Sequence, residues 1–170
     1  MARQRKSPRK SPQTLRSTVN VARIPIRLRG WWLRTLRMDT TGEYRKLKAL
    51  LEMFLLQAER RLSTRLWDRG TEVALEEALQ HLGLRWGPGF RAPLEVEARV
   101  TDTHLKFSLT MPRPARRRAK RTPSRKGRQR REAAAERSLY VVKRLADRLH
   151  VGLAGRQLAF WRLLPRSPSL

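Results

Sequence analysis

Cysteine is absent from the 170 residues, which excludes disulfides and thiolate metal sites and leaves the redox environment open. Acid is scarce: 14 Asp and Glu stand against 40 Lys and Arg, a formal net charge of +26 at pH 7. The three histidines, His81, His104 and His150, are isolated from one another and have no partners at metal-ligand spacing. No apolar run approaches the roughly 20 residues of a membrane-spanning helix, and the N-terminus lacks the apolar centre of a secretory signal. Neither a glycine-rich phosphate loop followed by Lys-Ser/Thr nor a nucleophile elbow occurs. Glu95, Glu97, Asp102 and Lys106 could be drawn as a metal-dependent nuclease cluster. Alternating charges on the solvent side of a hairpin account for them more simply. The expectation is a protein that is not an enzyme, with no cofactor, no metal, no small-molecule substrate and no membrane partner.

What is present is positive charge, and it is not evenly spread. Residues 1–38 hold eleven Lys or Arg and no acid, and residues 113–131 hold another eleven in nineteen positions. Self-repulsion on this scale disfavours a compact state unless a polyanion neutralises it, and nucleic acid is the commonest polyanion. Each base placed on a phosphate releases condensed counterions, so binding of this kind is strong and steeply salt-dependent.

The chain reads as an α+β protein, a small core of two or three helices on an antiparallel hairpin. Residues 1–19 are too polar to offset their ordering entropy and are expected as a disordered basic tail. "VARIPIRLRG" alternates Ile24, Ile26 and Leu28 with Arg23, Arg27 and Arg29, the pattern of a strand with a basic outer face. Pro25 removes a ladder donor and argues for a sheet edge. Leu47, Leu50, Leu51, Phe54, Leu55, Ala58, Leu62 and Leu66 form a helical stripe, with Thr40 and Glu43 as a capping box and Gly70 as a stop. A shorter helix follows, with Leu75, Ala78, Leu79 and Leu82 inward, Gly83 as its cap, and Glu72, Glu76 and Glu77 outward. "PLEVEARV" and "HLKFSLTM" alternate strictly around a short "TDT", which makes a hairpin. The core is thus expected over 20–111. A solvated basic loop follows over 112–131, then a helical segment over 132–164 completing the core, with Trp161 docked inward, and a tail over 165–170.

The candidate phosphate contacts fall in three groups. In the tail they are Arg3, Arg5, Lys6, Arg9 and Lys10. On the next segment they are Arg23, Arg27, Arg29, Arg34 and Arg37, with Trp31 and Trp32 set among them as candidate base-stacking surfaces. In the loop they are Arg116, Arg117, Arg118, Lys120, Arg121, Arg125, Lys126, Arg128, Arg130 and Arg131. Arginine predominates there, which suits forked contacts to phosphate and to guanine edges. Ser7 and Thr122 each precede a proline with a base two residues further on, and Ser11 precedes Pro12. This is the pattern of proline-directed kinases, and phosphate there would weaken polyanion contacts. The Ser-Pro-Arg-Lys at Ser7–Lys10 also resembles the minor-groove-binding repeats of histone tails, and Ala2-Arg3 with Arg9–Ser11 resembles the start of a histone tail over about eleven residues; nothing downstream reads as a histone fold.

Helix, helix, hairpin is also the later half of a winged-helix layout, but an acidic second helix would repel phosphate. The expected function is therefore non-enzymatic binding of RNA or DNA through basic clusters, in the nucleus or nucleolus. Three alternatives remain open. The basic runs, with their two-cluster spacing over 116–131, could serve only as import signals of a protein-interaction adaptor or homo-oligomer docking through its 43–82 helices. An acid-free, Arg-rich N-terminus also fits a transit peptide, and with it a ribosomal or RNA-processing protein of the mitochondrial matrix, although Pro8, Pro12 and Pro25 interrupt the required helix. Leucine spacing at Leu47, Leu50, Met53 and Leu55 and at Leu75, Leu79, Leu82 and Leu84 also fits an export signal, and with it a viral RNA-export regulator. Amphipathic core helices generate this spacing unaided.

Overall fold

The structure is a computed structural model that describes residues 20–26, 42–86, 94–112 and 124–164. Among these residues it is α+β, with three helices and one five-stranded antiparallel sheet. In chain order the elements are β1 (Asn20–Ile26), α1 (Gly42–Leu62), α2 (Arg69–Trp86), β2 (Leu94–Val100), β3 (His104–Thr110), α3 (Arg125–Leu145), β4 (Arg148–Gly152) and β5 (Gln157–Leu163). The strand order is β1-β2-β3-β5-β4, so β1 and β4 are the edges. Pro25 sits opposite Glu95 on the edge strand β1, where its missing donor leaves no gap in a second ladder.

Strand alternation sets the two faces of the sheet. Leu94, Val96, Ala98 and Val100 of β2, Leu105, Phe107 and Leu109 of β3, and Leu158 and Phe160 of β5 are buried in one core with the helices. Phe107 and Phe160 are register partners, and their rings stack with centroids 5.2 Å apart. Helix α1 contributes Tyr44, Leu47, Leu51, Leu55 and Ala58 to this core, one stripe at three- and four-residue spacing. Helix α2 is the central helix, burying Ala74, Leu75, Ala78, Leu79 and Leu82. Helix α3 packs on α2 through Ala135, Ser138 and Val142 and leaves most of its circumference to solvent.

Polar side chains fix the joints. Ser63 takes a left-handed conformation (φ 52°) just after α1, and Glu59 Oε1 accepts the Leu66 and Trp67 amides at 2.6 and 2.8 Å. Asp68 then caps α2, its Oδ1 accepting the Thr71 amide at 2.7 Å. Arg162 of β5 donates to Asp68 and, at 2.7 Å, to Thr71 Oγ1, tying the sheet to the start of α2. Between α1 and α2, Tyr44 donates to Glu76 at 2.8 Å and Lys48 pairs with Glu72. The β4–β5 connection holds Leu153, Ala154 and Gly155 at positive φ. Gly155, at φ 82°, takes a left-handed conformation that favours glycine, and its open side lies against the Arg85 guanidinium.

The sequence expectations change at several joints. Gly70 does not stop α1, which ends at Leu62; it lies in the first turn of α2. Gly83 does not cap α2, which continues to Trp86. Leu66 belongs to the connection rather than the helix, though it is buried, and Leu50 is 49% exposed on the outer side of α1. The sheet has five strands rather than a lone hairpin, because the segment after Leu145 turns back as β4 and β5 instead of staying helical. The last helix starts at Arg125 rather than Glu132, so the final third of the expected basic loop is helical. Ser124 supplies its cap, accepting from the Gly127 amide at 3.3 Å, and Arg128 pairs with Glu132 one turn on at 2.8 Å. The expected tails, "WWLRTLRM" and the Thr40 cap lie outside the described residues.

Candidate nucleic-acid interface

Helix α3 carries the densest described basic surface. Arg125, Lys126, Arg128 and Arg130 are exposed and Arg131 is half-buried against the fold. The same helix adds Arg137, Lys143 and Arg144, all exposed, which lie past the end of the basic run and carry no clustering signal in the sequence. Eight bases and two acids, Glu132 and Glu136, give α3 a surplus of six positive charges. At 100° per residue, Lys126, Arg130, Arg137 and Arg144 align on one side of the helix, about 27 Å from end to end, away from both glutamates. Tyr140, 63% exposed, lies between this ridge and Lys143. The ion pair of α3 among the described residues is Arg128–Glu132. No acid occupies the first turn, so Arg125 and Lys126 sit at the positive end of the helix dipole. An anion there relieves two unfavourable terms together.

The outward face of the sheet is the second basic surface. Register places Val21, Arg99, Lys106, Trp161 and Arg148 in one row across all five strands. The Lys106 ammonium lies 4.7 Å from the centre of the Trp161 ring. The neighbouring row runs Arg23, Glu97, Ser108, Ala159, His150. Arg23 is exposed and pairs with Glu97 at 2.9 Å, and Arg99 reaches the same carboxylate at 3.3 Å. Trp161 therefore does not dock in the core as expected: β5 alternation sends Phe160 inward and Trp161 outward. Trp67 is half-buried against the core.

Of the sequence candidates, Arg23, Arg125, Lys126, Arg128, Arg130 and Arg131 fall on described elements, the last five together on α3. Arg3, Arg5, Lys6, Arg9, Lys10, Arg27, Arg29, Trp31, Trp32, Arg34, Arg37, Arg116, Arg117, Arg118, Lys120 and Arg121 lie outside the described residues, as do Ser7, Ser11 and Thr122. The glutamates of α2 are not an exposed acidic face: Glu72 is held by Lys48 and Arg69, and Glu76 by Tyr44. The Lys48 hydrogen bond holds the Glu72 carboxyl below the ordinary value for glutamate, and the same bond raises Lys48. Every residue of α2 from 70 to 84 is buried or half-buried, which leaves no free face for a groove.

His81 is buried between α2 and α3, its Nδ1 donating to the Ala135 carbonyl at 2.7 Å while Nε2 has no partner. Among the described residues no three His, Asp or Glu side chains converge on a metal-sized site, and no helix is long and apolar enough to cross a membrane. The chain matches no protein-family model, and no curated protein matches it.

Proposed function

We propose that this chain is a non-enzymatic nucleic-acid-binding protein that holds phosphate through arginine and lysine clusters. The observation that carries the reading is the acid-free ridge of α3, Lys126, Arg130, Arg137 and Arg144, presented on an ordered helix with exposed side chains. A solvated charge run with no target would need no such alignment. The bases of Arg3–Lys10 and of Arg116–Arg121 would add further phosphate contacts. Proline-directed phosphorylation at Ser7, Ser11 and Thr122 would subtract from them. A nuclear or nucleolar site of action accords with this chemistry.

The test is binding to a mixed-sequence oligonucleotide over a salt series. Affinity falls steeply with salt, and replacing the four ridge residues with glutamine lowers the slope by about one for each phosphate no longer neutralised. A flat salt response in the unaltered protein overturns the reading. One observation favours a second reading, in which the chain also docks a protein. Leu50, Met53 and Leu56 are 49, 64 and 48% exposed along the outer side of α1.

A further inference from the structure

We propose that the outward face of the sheet binds single-stranded nucleic acid, with one base stacked on the Trp161 indole and phosphates held by Arg99, Lys106 and Arg148. The proposal rests on the nucleic-acid reading above and gives it a second surface and a strandedness.

Three features of the face point to this occupant. First, Arg99 and Lys106 are direct cross-strand partners on one face, an arrangement of like charges that works against the sheet. Glu97 relieves it only in part, because the same carboxylate also serves Arg23. Arg99 Nε remains without a hydrogen-bond partner. A row of cations only partly relieved across a sheet has anion as its complement.

Second, the row contains an aromatic. Trp161 stands between Lys106 on β3 and Arg148 on β4, so a base on the indole has a cation on either side to take the flanking phosphates. The Lys106 ammonium over the ring keeps the indole in place in the free protein. Base stacking on an indole is the stronger contact, and a displaced ammonium moves to a phosphate, so the exchange favours the strand.

Third, the next row confines a strand to the cationic row. Ser108 and Ala159, register partners flanking Lys106 and Trp161, are buried and closed to a ligand. Gln157 Nε2 reaches Ser108 Oγ at 3.4 Å beyond them. A duplex keeps its bases stacked inside and cannot offer one to a single indole, so this geometry selects an unpaired strand.

The experiment compares two ligands on the full chain: a polypyrimidine strand of about ten nucleotides and a strand of the same length whose sugars carry no bases. The unaltered protein binds the base-bearing strand about tenfold more tightly. Trp161→Ala removes that preference by weakening only the base-bearing strand, while Trp161→Phe keeps most of it. Equal affinity for the two strands in the unaltered protein overturns the proposal, and that arm needs no variant to fold. Equal losses on both strands in Trp161→Ala overturn it as well. In either case a steep salt dependence leaves the phosphate-binding reading standing. Binding to phosphatidylserine vesicles with none to either strand overturns both.

Discussion

His81 is a polar group set where water does not reach, and its titration is tied to the seam between α2 and α3. Burial lowers its pKa below the ordinary 6.5, and Arg85 adds to this. The bond to the Ala135 carbonyl and the charge of Glu136 oppose them and do not prevail. The folded protein therefore holds His81 neutral, while the unfolded chain takes up a proton near the ordinary value. By linkage the stabilisation is complete above about pH 7 and is lost as pH falls through the folded value. Thermal melting between about pH 7.5 and pH 5.5 should show a fall in midpoint on acidification. His81→Gln, which can keep a donor to Ala135 and cannot titrate, should flatten that fall. A variant with an undiminished pH response would place the effect elsewhere. The residue shows no special signal in the sequence, since a lone histidine on an amphipathic helix reads the same whether it is exposed or sealed.

Elements with a regular period are legible in the sequence and elements made by pairing are not. Leu47, Leu51, Leu55 and Ala58 announce α1, and Leu94, Val96, Ala98 and Val100 announce a half-buried strand, because burial alone dictates these spacings. Burial in β5 covers three successive residues, Leu158, Ala159 and Phe160, so no alternation survives to identify it. Charge, Pro123 and Gly127 give the start of α3 the look of a loop, yet arginine, lysine and glutamine are good helix formers once Ser124 caps the first turn. The start of α2 illustrates a joint that sequence could not reveal, because its clamp, Arg162, comes from the far end of the chain. Burial tends to raise the Asp68 carboxyl, but the Thr71 amide and hydroxyl and the Arg162 guanidinium together hold it below the ordinary value of 3.8. Its contribution is thus present above that value and fades as pH drops below it. Asp68→Ala should cost about 1 kcal/mol for the cap alone. That corresponds to a melting point lower by about 2–4 °C at neutral pH. Arg162→Met should lower it less, because the Thr71 amide still binds Asp68. Equal or reversed losses would mean that the ion pair rather than the cap holds the joint.

For the whole molecule, six of the described acids are held by the scaffold. Glu59 and Asp147 accept backbone amides, Asp68 caps α2, Glu72 and Glu76 tie α1 to α2, and Glu97 serves Arg23 and Arg99. The surplus of 26 already counts every acid, so the free protein carries its self-repulsion into the folded state. Added salt screens that repulsion, with a Debye length of about 10 Å at 0.1 M, and should raise the melting point of the protein alone. Bound nucleic acid reverses the sign. At a ligand concentration of about 100 times Kd the folded state gains about 2.7 kcal/mol, a rise of roughly 5–10 °C for a chain of this size. The same added salt then expels the ligand and lowers the melting point towards that of the free protein. Melting curves with and without an oligonucleotide, run from about 0.05 to 0.5 M salt, should therefore converge from opposite directions. An interaction protein whose basic runs serve only for import would show the rising limb without the falling one. The ridge variant of α3 should narrow the gap at low salt while leaving the free protein's curve higher than before, since it removes four like charges from the same surface.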